Sequence, residues 1–546
     1  MKIELPEIRP EERTPLVEAL LAIIQFLLDR NQQLEETVLQ LRAEIAILKG
    51  QKPRPQIKPS RLEAASPSSS QAGSSPEDAA KRPGSAKRAK NCQLTIHRTV
   101  PLDIDPLPCG AALKGYEPYM VQDLVIESKN TLYLRARYEL PDGRSILAPL
   151  PAEVLPGKHF GTTLIGYILH QYHNAGVTQG LLLQSLRDFG VDISEGELSR
   201  ILTADLDAFH AEKDEVRQAG LQTAAYIGTD DTGARHQGRN GYCTVIGNDL
   251  FAYFESSASK SRLNLLQVLH GSRRLYAINE ITLAYWKQQE LAAALIEKLS
   301  LGPAEFTDAS VWQAWLVALG ITGERHGRIA TEGALLGGLV QSGVSPELVV
   351  LSDGAPQFDL FLHASCWIHA ERPLARMVPY HDAHRTLIEK IRDQIWALYQ
   401  DLKAYRQQPD VAQKPLLEAR FDALCAQKTG YPSIDGVLKE MRDHQADLLR
   451  VLERPEVPLH NNAAESDIRE YVKKRKISGG TRSTLGRRCR DTFTSLKKTC
   501  RKLGVNFWNY LHDRLGGLAK IPRLADLIRE RAANQRRPLG NAVPAG

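Results

Sequence analysis

The sequence of 546 residues has no Cys-x-x-Cys pair, no GxxxxGK[ST] loop and no apolar run long enough to span a bilayer. These absences exclude a zinc ribbon, nucleotide hydrolysis on a P-loop and a membrane-embedded protein. Cysteines stand at 92, 109, 243, 366, 425, 489 and 500. An odd number at irregular spacing argues for a reduced, cytoplasmic chain rather than a disulfide framework. The opening MKIELPEIRPEER lacks the basic and apolar regions of a secretory leader. Aromatic residues make up only 6%, but 42% hydrophobic content is ample for several domains with cores of their own. The net charge of +6 is mild, and what matters is its unevenness, because lysine and arginine crowd residues 81–90 and 473–502.

What is present begins with a heptad repeat. Leu20, Leu27, Leu34, Leu41 and Leu48 take one seam position, and Val17, Ile24, Asn31, Val38 and Ile45 the other. β-Branched residues at a with leucine at d favour a parallel two-stranded coiled coil, and one asparagine at a fixes its register. Residues 1–49 are therefore expected to form a leucine-zipper arm that makes a homodimer or higher homo-oligomer through 16–49. Residues 50–91 are rich in Pro, Ser, Ala and Lys with little to bury, and read as a disordered basic linker.

From 92 to 157 the pattern is that of a small β module, with QLTIHRTV, MVQDLVIES, TLYLRARYEL and RSILAPL as strands and Pro141-Asp142-Gly143 as a hairpin turn. Residues 158–218 switch to helical spacing. Gly176 and Gly190 sit where helices should stop, and Ser194 with Glu197 forms a capping box. This segment suits a helix-turn-helix-like DNA-binding region, or three-helix packing without DNA contact.

Two later segments carry carboxylates from strand ends. AAYIG runs into Asp230 and Asp231, and Leu348-Val349-Val350-Leu351 leads to Asp353-Gly354. Adjacent strand-end carboxylates would bind Mg²⁺, which wants oxygen ligands. In HNNAAESDIREYVKKRK, Asn461 or Asn462 reads as a helix cap, with Glu465 in the first turn, Arg469 one turn on and Lys473 two turns on. Taken singly, each piece has a bland reading as a turn, a cap or a surface ion pair. Their order and contexts are more specific. If the strand continues through both acids, Asp230 and Asp231 point to opposite sides, so Asp231 is the alternative first acid.

The boxes TDDTG, LSDGA, CWIHAERPL and NNAAESDIR together resemble the transposases of the insertion-sequence-66 family, DDE enzymes with an RNase H-like catalytic fold. The resemblance implies a multidomain α/β chain whose catalytic domain spans 219–503, with a helical insertion at 281–345 and a C-terminal helical tail at 504–546. It implies Asp230, Asp353 and Glu465 as the catalytic acids and as ligands of two Mg²⁺ or Mn²⁺ ions. Cys366, Trp367 and His369 match a family box and read as packing beside the active site. The sequence departs from the family pattern in three places: the module after the coiled coil keeps only Cys109, so zinc is not expected; Asp230 and Asp353 are 123 residues apart, a longer span than usual; and Ser466 replaces the usual Arg.

The activity implied is Mg-dependent cleavage and strand transfer of DNA, with the element's terminal inverted repeats and the target DNA as partners and no nucleotide cofactor. Arg469, Lys473, Lys474, Arg475, Lys476, Arg482, Arg487 and Arg488 are the candidate phosphate contacts. Small accessory proteins of the element are expected by resemblance, and a bacterial cytoplasmic protein, nucleoid-associated when bound to DNA, is the expected setting. The rival readings are an inactive DNA-binding regulator of a mobile element and a metal-dependent nuclease that cuts without joining.

Overall fold

The computed structural model describes residues 161–379 and 381–536 without a break, most of 96–160, and positions scattered between 14 and 37. The chain divides into two units, residues 53–127 and the remainder. The described positions from Leu16 to Thr37 are helical. Leu20, Ile24, Leu27 and Leu34 of the heptad seam are 40–57% exposed. Asn31, Val38, Leu41, Ile45, Leu48 and the linker at 50–91 lie outside the described residues.

The β module is smaller than its alternation suggests. The described parts of QLTIHRTV and MVQDLVIES form no strand, and Val121, Leu124 and Val125 are at least 75% exposed. Alternation makes a strand only where a neighbour completes the ladder. The expected hairpin does form: β1 (Arg137–Glu139) pairs antiparallel with β2 (Ser145–Leu147), with Tyr138 opposite Ile146. Asp142 Oδ1 accepts the N–H of Arg144 at 3.0 Å, and Gly143 adopts φ 78°, as an Asp-Gly turn requires.

Helices follow at Thr162–His170, Gln179–Asp188, Glu195–Thr203 and Asp207–Thr223. The first continues as a π-helical turn over Gln171–Ala175 that Gly176 closes, Gly190 follows the second, both glycines with left-handed backbone, and the Ser194 hydroxyl accepts the N–H of Glu197 at 3.1 Å. The helical spacing that begins at the Ser194 cap runs on through 218 in the sequence, but the helix does not. It breaks at Asp205, whose φ is 58°, so that the Asp207–Thr223 helix can lie against the sheet.

That sheet positions the acids. β3 (Tyr226–His236) lies at its centre, with β4 (Arg239–Gly247) and then β5 (Ala252–Ser257) antiparallel on one side. A helical excursion separates β5 from the next strand of the sheet. It contains the helices Arg262–His270, Glu280–Gln288, Ala293–Ser300, Ala309–Ala318 and Glu324–Gln341, and a ribbon of β6 (Tyr276–Ala277) with β7 (Glu305–Phe306). The chain then returns as β8 (Val349–Ser352), parallel to β3, followed by β9 (Leu362–Ser365), parallel to β8. The order β5-β4-β3-β8-β9 is a mixed sheet, in keeping with the α/β expectation.

A second helical excursion went unseen in the sequence. Helices Trp367–Arg376, Asp382–Gln407, Lys414–Cys425 and Pro432–Asp443 intervene before the helix that carries Glu465, Asn462–Ser478. Trp367 is fully buried among them, with its indole N–H donating to Leu448 O at 2.8 Å.

Alternation along the strands divides the core. Ile227, Ile246, Tyr253 and Val350 face the main helical core, while Ala234, Cys243, Val245 and Phe254 face Ala464, Ile468 and Tyr471 of the Glu465 helix. The Thr484–Lys502 helix covers the edge strand β5. Its Ser495 hydroxyl accepts the N–H of Phe254 at 2.9 Å, and the Thr499 hydroxyl accepts the N–H of Ala252 at 3.2 Å. Side-chain oxygens thus satisfy the edge that would otherwise template another strand. The residues expected as a C-terminal tail supply core helices. Phe507–Gly516 and Leu524–Arg536 pack on the Asp207–Thr223 helix, where Arg514 Nε meets buried Glu212 at 2.8 Å.

Candidate active site

β3 and β8 pair in parallel with Gly228 beside Leu351. Side chains alternate along a strand, so Asp230 and Asp353, each two residues beyond that pair, leave on the same face of the sheet. On that face lies the Glu465 helix, and Gly228 lets it approach: a β-carbon there would come within 2.6 Å of Asn461 Oδ1 and 3.4 Å of Ala464 Cβ. The Asn461 amide donates to Thr229 O at 2.7 Å. Asn461, read from sequence as a possible cap, makes no side-chain cap bond to its own helix. It fastens that helix to β3 instead, because a buried amide bonds whatever backbone group packing brings to it.

The three acids come together electrostatically. Burial lifts the Asp230 carboxyl to about 6, against the N–H of Asp231, which donates to Asp230 Oδ1 at 2.8 Å. The negative charges of Asp353 and Glu465 add to the rise. Asp231 points the other way: its Oδ2 accepts from Gln357 Nε2 at 3.1 Å and its Oδ1 lies 3.7 Å from Lys260 Nζ. Sequence reasoning missed both partners, since neither stands near Asp231 in the chain.

Asp353 sits just past the end of β8, where Gly354 turns the chain at φ 91°. A buried polar chain supports this turn. Ser352 Oγ accepts the N–H of Gly354 at 3.0 Å and lies 2.8 Å from His363 Nε2, and His363 Nδ1 lies 2.9 Å from Asp447 Oδ2. With Nδ1 protonated toward Asp447, Nε2 accepts the Ser352 hydroxyl and every group is satisfied. Ser352 is fully buried, so this trio positions the Asp353 turn and is not a nucleophilic triad.

Glu465 faces an imidazole and a guanidinium. Its Oε1 lies 3.7 Å from His369 Nδ1, and its Oε2 lies 3.5 Å from Arg469, whose side chain is 76% exposed. Burial holds His369 below the ordinary imidazole value, helped by Arg372 and opposed by Glu465 and Asp353. His369, read from sequence as packing, thus sits against the third acid. Both Glu465 Oε1 and His369 Nδ1 are buried without a hydrogen-bond partner. Three carboxylates brought to one face fit hard divalent cations, and Asp230, Asp353 and Glu465 are the residues that would hold them.

The candidate DNA contacts separate into two groups. Arg469, Lys473, Lys476, Arg482 and Arg488 are exposed and Arg487 is half-exposed. Arg488 Nη1 lies 3.5 Å from Asp207. Lys474 donates to Tyr172 O at 2.6 Å and lies 3.7 Å over the Tyr172 ring; burial lowers it to about 7, with Arg490 and Lys497 contributing. Arg475 donates to Gly233 O and Thr232 Oγ1. Farther along, Lys497 pairs with Glu470 at 2.8 Å, and buried Asp467 receives Lys498 at 3.2 Å and Lys502 at 2.7 Å. The stretch 473–502 is therefore not one continuous basic track, because the helix covering β5 turns its C-terminal half inward.

Among the described residues no helix is long and apolar enough to cross a membrane. Residues 353–488, which carry Asp353 and Glu465 but not Asp230, match the family model described as "Transposase IS66 family". The chain is also 40% identical over 319 residues to an uncharacterized protein, y4jO, of Sinorhizobium fredii (strain NBRC 101917 / NGR234), covering 58% of this chain and 99% of that relative. On both findings, the chain belongs to the IS66 family of transposases.

Proposed function

We propose that this transposase cuts DNA at its element's ends and joins them to a target, with Asp230, Asp353 and Glu465 as the catalytic acids. The observation that carries the reading is the parallel register of β3 and β8, which sends Asp230 and Asp353 to the face covered by the Glu465 helix. Water hydrolyses a phosphodiester at the element's end, and the freed 3′-OH then attacks a target phosphodiester, expelling a target 3′-oxygen. Asp230, Asp353 and Glu465 would hold Mg²⁺ or Mn²⁺, which would supply charge neutralisation for the reacting phosphodiester. Asp231, engaged by Lys260 and Gln357 on the opposite face of β3, is not the first acid. Lys473, Lys476 and Arg482, exposed beyond Glu465, contact backbone phosphates. The helices between 162 and 203 take part in recognising the ends, and the arm at 16–49 pairs protomers, as pairing two ends requires. Small accessory proteins of the element are further proposed partners.

The test incubates purified protein with DNA carrying the inverted repeats that flank its gene, in Mg²⁺ or Mn²⁺, wild type beside Glu465→Gln. Joined products should form with the wild type and fall at least about 100-fold in the variant. Equal products from both would overturn the assignment of Glu465. End binding without cleavage would move a DNA-binding regulator ahead, and hydrolysis without joining would indicate a nuclease.

A further inference from the structure

Sequence alone shows half of a metal site, Cys366-x-x-His369, without its second half. The tertiary structure supplies the missing donor from Glu465, 96 residues beyond His369. Cys366 sits at the start of the Trp367–Arg376 helix and His369 lies in its first turn, so both side chains leave toward the first turn of the Glu465 helix. The cysteine sulfur, one imidazole nitrogen and one carboxylate oxygen all lie within 4.8 Å of one another.

We propose that Cys366, His369 and Glu465 form a mixed-donor site for one transition-metal dication of the zinc class. Three observations carry it. The donors are one S, one N and one O, a set that selects zinc or cobalt over magnesium, which binds oxygen and keeps its waters. His369 Nδ1 and Glu465 Oε1 are buried with no hydrogen-bond partner, a costly arrangement that a shared cation would resolve. The Asn461 N–H donates to Cys366 Sγ at 3.3 Å, the outer-shell contact that orients a thiolate ligand.

The site also has room. A cavity of about 90 Å³ is lined by Cys366, His369 and Asp353 among others. Two of the three proposed ligands, Cys366 and His369, border this cavity, and a site of three protein ligands with an open position is the arrangement of a catalytic rather than a structural zinc. Glu465 has two oxygens, so the carboxylate that faces this ion can also serve the hard-cation site. The inference rests on Glu465 lying where the proposed function places it, but its readout does not depend on strand transfer.

The test titrates metal-free, reduced, full-length protein with Co²⁺ and follows absorbance. One Co²⁺ per chain should bind with a thiolate-to-cobalt charge-transfer band that Zn²⁺ displaces and excess Mg²⁺ does not. Cys366→Ser should abolish the band, and His369→Gln should weaken binding at least about tenfold. Cys109→Ser, at an exposed cysteine outside the site, should leave the band intact. Wild type without a band, displacement by Mg²⁺, or a band that survives Cys366→Ser would each overturn the proposal. Should Cys366→Ser fail to fold, Glu465→Gln decides: an unchanged band and affinity refute the site. Asp230→Asn separates the two readings, since it should abolish cleavage while keeping the cobalt band. A band in wild type that never cleaves DNA leaves this site standing and removes the proposed function.

Discussion

Replacing Asp230 with asparagine should stabilise the metal-free protein. Burial, with Asp353 and Glu465 nearby, raises the Asp230 carboxyl from 3.8 to about 6, so above that pH the folded protein holds a charge its surroundings disfavour. At about 1.4 kcal/mol per pH unit the cost is about 3 kcal/mol, and partial exposure to water reduces it to roughly 1–2 kcal/mol. The sign follows from proton counts. The unfolded carboxyl releases its proton near 3.8 while the folded one holds it to about 6, so wild-type stability falls as pH rises between them and the loss is complete above about 6. Asparagine keeps the acceptor that takes the Asp231 N–H but carries no charge. Guanidinium unfolding in chelator, followed by tryptophan fluorescence, should show the variant ahead at pH 7.5 and level with wild type near pH 4. Added Mg²⁺ should then favour the wild type, because binding to the folded state stabilises it by mass action. A variant less stable at pH 7.5, or one whose advantage persists at pH 4, would refute the electrostatic account of the site.

Gly228→Ala should cost about 1–3 kcal/mol, because the new β-carbon meets Asn461 Oδ1 at 2.6 Å and displaces the Glu465 helix; strand cleavage lost without loss of DNA binding would locate the damage, and unchanged cleavage would contradict it. Asp231→Asn should keep most strand-cleavage activity where Asp230→Asn loses it, since Asp231 faces Lys260 and Gln357; equal losses in a cleavage assay would reverse the assignment. Lys473→Ala and Lys476→Ala should each lower the slope of log affinity for DNA against log salt by about 1, as loss of a phosphate contact does. Asp467→Ala should instead destabilise the fold by about 3–5 kcal/mol, because it strands Lys498 and Lys502 beside a buried position, and a denaturation midpoint equal to wild type would count against those pairs.

Local patterns in the sequence were enough to single out the candidate acids. An apolar strand ending in acid marks Asp353; the same pattern singles out Asp230, although β3 does not end there but continues through both acids to His236. The Asp-Gly turn marks the β1–β2 hairpin, and Ser194, Gly176 and Gly190 mark helix ends, because strand alternation, capping and left-handed turns are written in adjacent residues. Only the tertiary structure decided which acid of the 230–231 pair faces the other carboxylates, since that depends on the β3–β8 register and on the helix packed over that face. It also decided that Asn461 fastens a helix to a strand, that His369 meets Glu465, and that Lys497 and Lys498 turn inward. Each of these pairings joins residues far apart in the chain, and charge or periodicity read along a sequence carries no record of which distant group a buried side chain will meet.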